Sequence, residues 1–178
     1  MQFLTRRRII KATVVAGAGV LVGVPFLPSS FPLRRSPVSN GGQNKKGLRE
    51  FVQVVWEGRD LSALPRFWTA DCVNHASPTP ENVGLAALLT YHEGFITGFL
   101  PHFSNARIEF LQQVAESDRM VSQMVFLAKH TGPAFGLPAT GKDVSLASIR
   151  IDRFEGDNIA EHWSVADMAG FMLQLQSS

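Results

Sequence analysis

The sequence GLPATGKDVSLASIRIDRF, from Gly136 to Phe154, admits two readings that lead to different architectures. Its first half is close to G-x-x-x-x-G-K-[ST], the glycine-rich loop that wraps nucleotide phosphates. That loop works only between a strand and a helix, because the helix N-terminus must face the phosphates. Here Asp143 stands where the magnesium-binding hydroxyl would be, and Pro138 removes one of the backbone N–H groups that would bind phosphate. The second half, DVSLASIRIDRF, alternates with a period of two and is strand-like throughout. The stretch is therefore a long hairpin connection, and nucleotide binding is set aside.

Working outward, the same period of two runs through ARIEFLQQVAE, RMVSQMVFLAKH and NIAEHWSVADM, joined by short turns such as SD and EGDN. These predict, with DVSLASIRIDRF, four strands, and MAGFMLQLQ predicts a short closing helix. Before Pro101 the period is helical. Leu48, Phe51, Val52, Val55 and Trp56 form one apolar stripe; Leu85, Leu88, Leu89, His92, Phe95 and Ile96 form another, and Pro101 ends it. GRDLSALPRFWTADCVNHA reads as a break at Gly58, a short helix, and a chain turning inward toward His75. Helices followed by hairpin-linked strands predict an α+β fold with a curved antiparallel sheet.

The ends of the chain differ in character. Residues 1–49 carry nine basic side chains and no acidic one, leaving eight basic against all fifteen acidic side chains in the rest. The body is thus acidic, which argues against a nucleic-acid partner. Thr5 to Lys11, TRRRIIK, resembles a twin-arginine export signal, and Ala12 to Leu27 is short and glycine-broken for a membrane span but suits a signal's apolar region. No tidy small-residue cleavage site comes after it, so an uncleaved anchor stays open. The expected organisation is a signal or anchor over 1–27, a flexible Pro/Ser/Gly/Asn-rich linker over 28–46 and one domain over 47–178. Such a protein is exported to the periplasm or cell envelope, and any membrane contact is through the N-terminal segment alone. Cys72 is the sole cysteine, which excludes an intrachain disulfide.

From Lys129 onward the residues are similar to a known pattern. His130, Gly132, Gly136, Pro138, Thr140, Gly141 and Lys142 match one motif of the SnoaL-like polyketide cyclases, also called ester cyclases; Arg153, Ile159, Glu161, Trp163 and Asp167 match a second. Gln174 and Leu175 match its C-terminal Gln-Leu. Ala128, Lys129, Pro133, Ala134 and Gln123 depart from the pattern. The resemblance implies an NTF2-like cone, with helices on a strongly curved sheet around an apolar pocket. It also implies a small, largely apolar carbonyl compound as ligand, and metal-free, cofactor-free acid/base chemistry of the aldol-cyclisation type. Cones of this kind commonly dimerise through the sheet, so a homodimer is expected.

Candidate residues come from both lines. A period of two puts Glu161, Trp163, Val165 and Asp167 on one face, and Trp163 and Val165 suggest that this face is interior. A carboxylate there has its charged form disfavoured and can exchange a proton near neutral pH. In the resembled cyclases the aspartate matching Asp167 is the acid/base; the alternative is that it caps the final helix. His130 ends an apolar strand face containing Met124 and Phe126. It could polarise a carbonyl or protonate an enolate, or simply hold the hairpin. Parity places Glu161 inside or bonded to Arg153 and His162 outside, unless a bulge reverses them. His75 and Asn74 could enter the pocket or form a buried polar turn. His92 sits on an apolar helix face, as a core residue or within reach of the cavity. A metal site from His75, His130, His162 and Asp167 lacks ligand spacing, and neither a nucleophile elbow nor a pattern around Cys72 supports covalent catalysis. The rival readings are another isomerase or hydrolase chemistry in the same pocket, and a non-catalytic extracytoplasmic carrier of a small apolar ligand.

Overall fold

The computed structural model describes residues 41–78 and 82–176; the signal or anchor over 1–27 and the first part of the linker lie outside them. Helix α1 (Gly41–Phe51) starts inside the expected linker, so residues 41–46 are helical. It runs on into wider π-helical turns over Val52–Glu57. Leu48, Phe51, Val52 and Val55 form its buried stripe, and the period of three and four in the sequence is the cause. A tight turn of 3-10 helix, Leu61–Arg66, is capped by Asp60, whose Oδ1 accepts from the Ser62 N–H at 3.0 Å. The chain then forms β1 (Trp68–Asn74), helix α2 (Gly84–Glu93), a second π-helical stretch (Gly94–Phe99) and a final turn, Leu100–His102, at Pro101.

Four long strands come next: β2 (Phe103–Glu116), β3 (Arg119–His130), β4 (Asp143–Glu155) and β5 (Asn158–Ala166), then helix α3 (Met168–Gln176). The sheet order is β1-β5-β4-β3-β2. The hairpin neighbours pair antiparallel, as expected from the short turns between β2 and β3 and between β4 and β5 and the long connection between β3 and β4. Strand β1 was not expected, and it lies parallel to β5, so the sheet is mixed. At the β4–β5 turn Gly156 has φ +63°, where a side chain would be strained.

Bulges interrupt the ladder between Ser104 and Arg107, between Phe110 and Gln112, and between Arg153 and Phe154. Each extra residue bends its strand and adds twist, and together they curve the sheet around the helices. The concave face carries Met120, Met124, Phe126, Val144 and Phe154, all buried, against Phe51, Phe67, Trp68 and Leu88. Phe171 of α3 is fully buried against Phe99 and Phe103 and fastens the last helix over one end. Among the described residues no helix is long and apolar enough to cross a membrane.

Candidate functional site

Between the concave sheet and the helices lies a cavity of about 610 Å3, within the range of small-molecule sites. Its floor is Met124 and Phe126 of β3, Leu146, Ser148 and Arg150 of β4, and His162, Ser164 and Ala166 of β5. Its roof is Trp56, Tyr91, His92, Phe95 and Phe99, with Phe135, Pro78 and Met168 also lining it. The two π-helical stretches supply Trp56, Phe95 and Phe99; widened turns of this kind recur at functional sites.

The polar centre was not expected. Arg150 and Asp152, two apart on β4, both face inward and are almost completely buried. Arg150 donates to Asp152 from Nε at 2.8 Å and from Nη2 at 2.6 Å. The Asp152 carboxylate also lies 2.9 Å from Nδ1 of His162, directly across the ladder. An ionised carboxylate only accepts, so His162 carries its proton on Nδ1 and keeps the lone pair on Nε2, in a ring that lines the cavity. Burial alone would raise the Asp152 pKa. The charge of Arg150 and the hydrogen bond from His162 outweigh it, and the carboxyl is held below its ordinary value. Burial, then the charge of Arg150, push the His162 pKa below its ordinary value, against the pull of Asp152. At neutral pH the ring is therefore an uncharged proton acceptor.

His92, on α2, lines the cavity at 2% exposure. Its Nδ1 accepts from the Trp56 indole N–H at 3.0 Å, which puts the ring proton on Nε2. Burial, then the charge of Arg150, lowers its pKa to about 3, so it too is neutral. Met124 and Phe126, on the apolar strand face read from the sequence, line the cavity.

The other candidates lie elsewhere. The parity assignment on β5 is corrected: His162, Ser164 and Ala166 point inward, while Trp163 and Val165 are on the outer face, Val165 at 77% exposure. The bulge opposite Arg153 and Phe154 is the reason. Phe154 pairs with Ile159 and Arg153 with Glu161, so Ala160 is the extra residue, and every side chain after it changes face. Glu161 bonds to Arg153 at 2.6 Å, as one alternative had it, and to His75 at 3.0 Å. These two partners, His75 first, hold its carboxyl below the ordinary range. His75 stacks on Trp163 with centroids 4.4 Å apart, outside the cavity. Asn74 is buried and its Oδ1 accepts from the Ala76 N–H at 3.1 Å, which makes it a turn residue.

His130 is fully buried at the end of β3, stacked on Phe103, with Nδ1 3.2 Å from the Thr140 hydroxyl. Its backbone N–H donates to the Lys142 carbonyl, so it ties down the hairpin connection. Asp167 is exposed and its Oδ1 accepts from the Gly170 N–H at 2.9 Å, the geometry of an N-cap on α3. Removing that cap predicts a specific pattern. Asp167→Ala lowers stability by about 1 kcal/mol, whereas Asp167→Asn, also a good cap, changes it by a few tenths at most. Equal losses in denaturant melts of the two variants would contradict the cap. Cys72 is buried, and burial followed by the nearby Asp71 raises its thiol pKa, the reverse of an activated nucleophile. Among the described residues no three His, Cys, Asp or Glu side chains are grouped as metal ligands.

A curved sheet and helices enclosing an apolar cavity, with a buried histidine–aspartate pair beside it, define a cone with a candidate small-molecule site. Residues 46–175 match the SnoaL-like polyketide cyclase family, and the chain belongs to that family. Solved structures share the fold. AclR of Streptomyces galilaeus is 27% identical with a TM-score of 0.62, the match covering 76% of this chain and 85% of that one. TsrD of Streptomyces laurentii is 21% identical with a TM-score of 0.62, covering 77% and 97%. A SnoaL-like polyketide cyclase of Agrobacterium tumefaciens is 19% identical with a TM-score of 0.58, covering 74% and 97%. No curated protein matches the chain.

Proposed function

We propose that the protein binds a small, largely apolar carbonyl compound and moves a proton at the carbon beside the carbonyl, with His162 as the base. The observation that carries this is the His162 ring in the cavity wall with Nδ1 on buried Asp152 at 2.9 Å. Asp152 fixes the tautomer and stabilises the imidazolium that forms, the part an aspartate plays beside a catalytic histidine elsewhere. Nε2 takes the proton as the C–H bond breaks, and the electron pair moves onto the carbonyl oxygen as an enolate. In an aldol-type closure the enolate carbon then bonds to a second carbonyl, and its oxygen recovers the proton from the imidazolium. No electrons leave the substrate, so the sequence of steps needs no redox partner. Family membership supports a cyclase-type reaction; the carbonyl substrate and the assignment to His162 are ours.

The test is exchange of α-hydrogens of an apolar cyclic ketone in deuterated water, followed by NMR with and without protein. Exchange well above the buffer rate is expected. Binding without any added exchange would favour the carrier reading, to which the export-type stretch Thr5–Lys11 lends support. Export by the twin-arginine route and a homodimer complete the proposal. The dimer rests on the outer sheet face, where Val114, Val121, Ile151 and Trp163 form one cross-strand row beside Ile149 and Val165. Most of these are substantially exposed, and a second copy would cover them. Cell fractionation and sedimentation of the full chain check both points: cytoplasmic retention sinks the first and a monomer the second.

A further inference from the structure

The Arg150 guanidinium has more donors than its partner uses. Its five N–H groups lie in one rigid plane, and Asp152 takes only those on the Nε–Nη2 edge. Nη1 makes no hydrogen bond among the described residues, and it is not among the fully enclosed unpartnered polar atoms. Since Arg150 is 1% exposed and lines the cavity, this remaining contact is with the cavity. Ser164 lies directly opposite Arg150 across the β4–β5 ladder, and Ser148 is two residues along on the same face; both line the cavity. Among the described residues that line it, Arg150 is the one formally charged residue, because His92 and His162 are neutral and Asp152 is not part of the lining.

We propose that the free Nη1–Nη2 edge of Arg150, flanked by the Ser148 and Ser164 hydroxyls, is an anion subsite that selects apolar ligands carrying one carboxylate. It rests on the reading of the cavity as a ligand site, and it goes further by fixing the ligand's charge. Two coplanar carboxylate oxygens match the two coplanar donors of the open edge, as they do on the edge held by Asp152. The surrounding rings of Trp56, Phe95 and Phe99 take the apolar remainder. A wall this apolar strengthens the charge-assisted bonds.

Isothermal titration of the full chain with decanoate, decanamide and decanol, at mildly alkaline pH, tests this. Decanoate is expected to bind at least about tenfold more tightly than either neutral compound, the worth of one charge-assisted hydrogen bond. In Arg150→Lys, checked for an unchanged melting transition, a single ammonium cannot serve Asp152 and the ligand as two planar edges. The preference should fall to about threefold or less. If the wild-type protein binds all three equally, or prefers a neutral one, the anion subsite is overturned while the cavity remains a ligand site. Binding of none of them overturns the ligand-site reading as well. A preference that survives in Arg150→Lys overturns the planar edge as its source. The wild-type comparison stands even if the variant fails to fold.

Discussion

His162→Gln lowers the rate of α-hydrogen exchange, or of whatever ring closure is found, by about 10²–10⁴-fold, the usual contribution of a positioned acid or base. The variant keeps an amide that can donate to Asp152, and Asp152 keeps both bonds from Arg150. Ligand affinity and melting temperature should therefore change far less than the rate. The pH profile carries an independent check. His162 accepts a proton only when neutral, and burial and Arg150 set its pKa below the ordinary histidine value of 6.5. The wild-type rate should be flat through neutrality and fall only in acid, with its inflection below 6.5. An inflection in the carboxylate range that disappears in Asp167→Asn would return the chemistry to Asp167. An unchanged rate in His162→Gln would remove His162 from it.

The fold was legible because its long elements have clean periods. Leu48 to Trp56 repeats at three and four, and β2 to β5 repeat at two, so helices and hairpins emerged without any knowledge of contacts. Strand β1 did not. WTADCVN is a seven-residue strand whose pairing with β5 joins residues about ninety apart in the chain, such as Trp68 and Ile159. Its own alternation, Trp68, Ala70 and Cys72 against Thr69 and Asp71, is short and breaks at Val73, and the tertiary partner is what makes it a strand.

The site was less legible, for two physical reasons. On β4 the apolar residues Ile149 and Ile151 face outward while charged Arg150 and Asp152 face inward. Alternation reveals two faces but not which one is buried, and here the usual rule that the apolar face is inside gives the wrong answer. On β5 the same rule, applied to Trp163 and Val165, failed again, and the Ala160 bulge reset the parity. One signal was present: two opposite charges two residues apart on a strand, Arg150 and Asp152, with a histidine ten residues on across a tight hairpin. Such groups are placed to meet on one face, and buried charges persist only when paired. Lys142 and the glycine-rich connection drew attention instead, although their role is to bring the chain from β3 to β4.

Asp152→Ala should be the most damaging single change to stability, at about 3–5 kcal/mol. Asp152 is 0% exposed, and its loss leaves the Arg150 charge buried without its counter-charge and leaves His162 Nδ1–H without an acceptor. For a chain of this length that corresponds to a fall in melting temperature on the order of 10 °C. The energy is the penalty of orphaned groups, not the worth of the pair, and a second variant separates the two. Arg150→Met with Asp152→Leu removes both charges and fills similar space, so it should recover most of the lost stability. It should also lose α-hydrogen exchange, because nothing then holds the His162 tautomer. Asp152→Asn isolates that last effect: its amide can donate to Nδ1 and move the ring proton to Nε2, the wrong nitrogen for a base. A melting temperature for Asp152→Ala within about a degree of wild type would show that the Arg150–Asp152 pair is not closed off from solvent. The low-dielectric setting on which both the base and the anion subsite depend would fall with it.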